Sequence, residues 1–147
     1  MRVLLALLLV LGTGSLTSAA APRTIEITSG DQMTFNVSVI RAKAGESIRL
    51  RVISKGTLPK VAMAHNVVVL KPGTDPAKFV TEGATHRETD FIAPSMSGAV
   101  IAKTPFAGPG ETVEVVFTAP AKPGRYPFVC SFAGHFQAGM KGTLIVS

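Results

Sequence analysis

Short runs in which apolar and polar side chains alternate one for one recur along this chain, each cut off by Gly, Pro, Asn, Asp or Ser. A period of two places one set of side chains on a core face and the other in solvent, as a half-buried strand requires and a helix cannot match. Thr24–Ile27 alternates and ends at Ser29-Gly30-Asp31, and Met33–Val37 alternates again. After the turn signal Ala44-Gly45-Glu46, Ile48-Arg49-Leu50-Arg51-Val52 sets three aliphatics against two arginines. His65–Leu70 is a nearly continuous apolar run, as in a strand covered on both faces. Gly98–Ala102 is a weaker strand. Thr112–Thr118 alternates with Val113, Val115 and Phe117 inward, Tyr126, Phe128 and Cys130 share a face, and Thr143–Val146 closes the chain. The pattern predicts an all-β fold, a Greek-key antiparallel β-sandwich of about eight strands. Pro127 is awkward in a strand, because proline gives up a ladder hydrogen bond and prefers an edge or bulge. Lys71–Met96 fits no strand. Within it, residues 75–86 predict a short helical excursion, with Asp75 as N-cap and Pro76 in the first position.

The N-terminus reads differently. Met1-Arg2, nine apolar residues from Val3 to Leu11, and Ser18-Ala19-Ala20 form the pattern of a secretory signal peptide over residues 1–20, cut after Ala20. The apolar run is too short to span a bilayer as a helix, although lengthening through Leu16 and Ala21 leaves a retained membrane anchor as the alternative. Residues 21–147 then form one exported domain, in the periplasm, or tethered to the outer face of a membrane if the segment stays. With 46% hydrophobic and 16% charged residues and no low-complexity tract, the chain is neither disordered nor fibrous. Its charge of +6 comes from scattered basic residues, without a Lys/Arg cluster or interleaved aromatics. That argues against a nucleic-acid partner and leaves steering toward acidic partners or an anionic membrane surface open.

Cys130 is the one cysteine, which excludes an intramolecular disulfide. In an exported chain, a lone thiol is either a buried apolar filler or a functional group such as a metal ligand. It opens the stretch Cys130-Ser-Phe-Ala-Gly-His135-Phe-Gln-Ala-Gly-Met140-Lys-Gly, which puts a thiolate, an imidazole and a thioether on one short loop. Each alone reads as packing, but packing explains the three together poorly, because a loop this short is mostly solvated. Soft sulfur donors with imidazole favour copper over Mg, Ca or Mn, and two His, one Cys and a weak axial Met form the donor set of a blue-copper centre. A second His is then needed, and the chain offers His65 and His86. His65 opens an apolar run and is followed by Asn66, a polar residue on otherwise buried backbone. His86 lies among Thr, Arg and Glu and reads as surface. His65 is the better candidate.

Cys130-x₄-His135-x₄-Met140-Lys-Gly, with Met63-Ala64-His65-Asn66 upstream, resembles the azurin branch of the cupredoxins, the small blue copper proteins. Gly30–Asn36, Leu58-Pro59-Lys60, Asp90-Phe91, Val100-Ile101-Ala102 and Met140–Leu144 resemble azurin segments in the same order, so the likeness runs over nearly the whole of residues 21–147. The resemblance implies a cupredoxin-like sandwich holding one type 1 copper ion. His65, Cys130 and His135 would be its strong equatorial ligands and Met140 the long axial one. It implies that Asn66 ties the two ligand segments together and hydrogen-bonds toward the Cys130 sulfur. Ala64 stands where azurins carry a glycine whose carbonyl approaches the copper.

Three departures stand out. Four residues separate His135 from Met140 where azurins usually have three, a spacing that resembles the auracyanins. The azurin disulfide cannot form, and Val67 occupies the position of the azurin core tryptophan.

The function implied is one-electron transfer between redox partner proteins, not enzymatic turnover. The protein would act as a monomer that docks near His135 through a patch of Met33, Leu58, Met63, Phe132, Ala133 and Phe136. The competing reading is an exported copper carrier or store without redox turnover. A copper enzyme would need further metal centres and more histidines than the three present.

Overall fold

Two sheets satisfy the backbone demands of the alternating runs. The structure, a computed structural model, describes residues 21–147; the secretory-signal expectation for residues 1–20 lies outside the described residues. One sheet joins β1 (Arg23–Ser29), β3 (Ser47–Ser54) and β6 (Thr112–Thr118) in the order β1-β3-β6. The other joins β2 (Val39–Ala42), β4 (Val68–Leu70), β5 (Val100–Lys103), β7 (Gly124–Val129) and β8 (Lys141–Val146) in the order β2-β8-β7-β4-β5. The core lies between them. Ile27, Ile48, Leu50 and Val52 from the first sheet meet Ile40, Val69, Tyr126, Phe128, Leu144 and Val146 from the second. On the outer face of the first sheet, Arg49 and Arg51 pair with Glu114 and Glu26 at 3.2 and 2.8 Å.

The sandwich is all-β as expected, but it is mixed rather than antiparallel: β1 runs parallel to β3, and β2 to β8. The chain passes from β1 in one sheet to β2 in the other and back to β3. This crossing supplies the long connection that a parallel pair needs and a hairpin cannot give. The alternating stretch Met33–Val37 is not a strand. Met33 sits at a positive φ of 51°, and the Asn36 side chain accepts a hydrogen bond from the Thr28 N–H at 2.7 Å, so local side-chain chemistry wins over pairing. The strand comes later, at β2.

Pro127 occupies an interior strand without cost. The Thr143 N–H opposite it donates to Ser38 on the β2 side, so Pro127 faces β4, whose ladder with β7 ends at Phe128. Helix α1 (Pro76–Gly83) forms as predicted, with the Asp75 carboxylate accepting from the Ala77 and Lys78 N–H groups. Its Phe79 and Val80 pack with Val68, Leu70, Ile92 and Val129 in a second apolar cluster on the outer face of β4 and β7. The apolar run at Val68–Leu70 is thus covered on both sides.

Candidate metal centre

One end of the sandwich gathers the four sequence-predicted site residues, all 2% exposed or less. Cys130 directly follows β7. Its N–H donates to the Met140 carbonyl at 3.0 Å, and the Met140 N–H donates to the His135 carbonyl at 3.0 Å. His135 opens the single-turn helix α2 (His135–Ala138), just after Gly134 takes a left-handed φ of 88° that an L side chain would resist. The loop is therefore closed on itself by its own backbone. His65 arrives from the other side. The expected strand over His65–Leu70 is shorter, because His65 leaves the ladder and bridges to Ala107, with paired N–H to carbonyl bonds of 3.0 and 2.8 Å.

The donor atoms of His65, Cys130 and His135 lie within 4.8 Å of one another. The two imidazole rings are 5.0 Å apart, and the Cys130 Sγ is 3.5 Å from the His135 Nδ1. Met140 is fully buried beside them, tied through its backbone to both Cys130 and His135. His86 is elsewhere, half-buried, with its Nδ1 3.3 Å from Glu88.

Burial sets the protonation of the group. It pushes the Cys130 thiol up to about 12, although the backbone N–H groups of Asn66 and Phe132 pull the other way. Burial also pushes His135 down to about 4, helped by His65, and lowers His65 against the opposing charge of Asp31. Left to itself, the site is a neutral thiol between two neutral imidazoles.

Asn66 joins the two segments as expected, and its partner is Ser131, which the sequence reading missed. The Asn66 Oδ1 accepts from the Ser131 N–H at 2.9 Å, and the Asn66 Nδ2 donates to the Ser131 Oγ at 2.9 Å. That hydroxyl donates in turn to the Asp90 carbonyl at 2.7 Å. Asp90 and Phe91 both adopt left-handed φ, 58° and 57°, which turns the chain here. The signal available in sequence was a serine inside the otherwise apolar run Tyr126–Phe132: a buried hydroxyl needs a partner.

The expected surface patch is only partly assembled. Leu58 and Ala133 are exposed, Met33 and Met63 half-buried, and the Phe132 ring lies 4.6 Å from that of His135. Phe136 does not join them. It packs against the second apolar cluster under α1, with the Lys141 Nζ 4.6 Å above its ring.

The family model for copper-binding proteins of the plastocyanin/azurin family matches residues 22–147. The chain belongs to this family. It is 39% identical to azurin from Pseudomonas aeruginosa over 129 residues, 85% of each chain. It is 32% identical to auracyanin-A from Chloroflexus aurantiacus, over 88% of this chain and 78% of that protein. The solved structure of auracyanin A, a "blue" copper protein from the same bacterium, superposes with a TM-score of 0.75 at 30% identity, over 86% of this chain and 100% of the other.

Copper is the metal of the plastocyanin/azurin family, and the cluster is positioned for a single ion. The chain's own chemistry fits that. Both ring nitrogens of His65 are buried and have no hydrogen-bond partner. An orphaned buried polar group costs about 1–3 kcal/mol, a cost that metal coordination would repay. Soft sulfur beside imidazole is the donor set copper prefers.

Proposed function

We propose that the protein is an exported type 1 copper protein carrying one electron at a time between redox partner proteins. His65, Cys130 and His135 are its equatorial ligands and Met140 its axial ligand. Residues 1–20 serve as the signal peptide, the domain spans residues 21–147, and the protein works as a monomer in the periplasm. When bound, copper supplies the Cu(I)/Cu(II) couple. The observation that carries the reading is the buried His65–Cys130–His135 cluster with its two orphaned His65 nitrogens. The chain's own part is rigidity. The self-bonded loop from Cys130 to Met140 and the Asn66–Ser131 bonds hold the donors in one arrangement for both oxidation states, so little has to reorganise when the electron moves. Phe132, stacked on His135 at the surface edge of the site, gives a partner a small apolar contact of the kind that suits brief redox encounters.

The test is a visible spectrum of the purified protein after adding Cu(II), before and after a mild reductant. An intense band that bleaches and returns on reoxidation is expected, and Cys130→Ser should abolish it. Met140→Leu should keep the colour and raise the reduction potential, because a weak donor to the oxidised ion is lost. Copper binding without colour would overturn the reading in favour of a carrier or store.

A further inference from the structure

The charges that the sequence shows as scattered are sorted by the fold. Strand β7 leads from Arg125 to the residue before Cys130. At about 3.3 Å per residue, Arg125 lies about 17 Å from the metal centre. Across the sheet at this far end, Arg125 stands opposite Ile145 and Ile145 opposite Arg41, so both arginines stand on one outer face. Val39, two residues from Arg41 on the same face, is 47% exposed. Lys43 follows β2, Lys71 follows β4, and Lys122 shortly precedes β7, all at this end. Among the described residues, none of these five cations has a carboxylate within salt-bridge distance. Glu46, which does reach this end, is taken up by Arg23. From Val115 to Ser147 the chain has no Asp or Glu at all.

We propose that this far end is a docking face for an anionic lipid surface. The geometry favours lipid over a redox partner. An electron-transfer partner would gain little by sitting about 17 Å of strand away from the site, whereas a lipid surface bound here leaves the metal centre facing outward and free. Spread cations and a part-exposed valine suit a flat, negatively charged surface, to which each Lys or Arg adds attraction that salt screens. This inference does not depend on the ligand assignment at the metal centre.

The experiment is co-sedimentation of the purified exported protein with vesicles of phosphatidylglycerol and phosphatidylcholine, against phosphatidylcholine alone, at low and high salt. The expected result is roughly tenfold or tighter binding to the anionic vesicles, weakened by salt. The R41Q/K43Q/K71Q/K122Q/R125Q variant should lose most of that preference, while K55Q/R87Q/K141Q, which removes three cations without a carboxylate partner at the metal end, should lose much less. All these positions are exposed, and a matching thermal melt confirms that each variant is folded. Equal binding to both vesicle types, or equal losses in the two variants, would overturn the proposal. Retention on polyglutamate without retention on anionic vesicles would overturn it in favour of an acidic protein partner.

Discussion

The two ends of the sandwich both hold polar groups without partners, and they show how differently burial treats them. At the metal end the ring nitrogens of His65 are orphaned inside the protein. At the far end Arg41 and Arg125 lack counter-ions but stand in water. An unmet hydrogen bond in the interior costs the full desolvation of the group, whereas an unpaired surface charge costs almost nothing. Hence two nitrogens at one end, set beside Cys130 and His135, point to a ligand, while the other end speaks only through the sum of its charges.

The largest test of this contrast is His65→Leu. It should abolish copper binding, read by titration, and leave the metal-free protein as stable as before or about 1–3 kcal/mol more stable, because two orphaned groups disappear. A metal-free variant that is strongly destabilised would mean that His65 is a structural residue. The pH dependence of the metal-free protein comes next. Burial lowers His65 and His135 below their ordinary 6.5, His135 to about 4, so the unfolded chain binds more protons than the native one between those values. Stability is then fully present above pH 6.5 and falls toward pH 4, by up to about 1.4 kcal/mol per pH unit for His135, with His65 adding in the same direction. Urea titrations across that window should show the decline, and copper should suppress it. Asn66→Ala should follow, costing about 1–3 kcal/mol by leaving the buried Ser131 N–H unmatched, read from the urea midpoint. Smallest of all, Arg41→Gln with Arg125→Gln should change stability by less than about 0.5 kcal/mol.

Much of this was legible in the sequence, for reasons that differ from residue to residue. β6 and the alternating centre of β3 follow from burial on one face only, and α1 from a capping aspartate followed by proline. His65 was separable from His86 because its neighbours are apolar, and the structure puts it beside Cys130 and His135. What periodicity does not encode is which strands pair. The parallel β1–β3 and β2–β8 ladders depend on the chain changing sheets, and alternation looks the same in either direction. Met33–Val37 misled because the Asn36 amide competes for backbone that alternation alone assigns to a strand. Phe136 was placed on the surface patch because it neighbours His135 in sequence, but a helical turn sends adjacent side chains to different faces.

The single cysteine has one more consequence. This chain has no covalent staple, yet His65 and Cys130 are sixty-five residues apart and meet at one point. An ion gripped between them ties the sequence into a closed ring as a disulfide would. For a ring of that size, the chain-entropy gain is on the order of 4 kcal/mol. The cofactor would thus double as a removable clasp, so that stripping the metal should hasten unfolding as well as erase the colour.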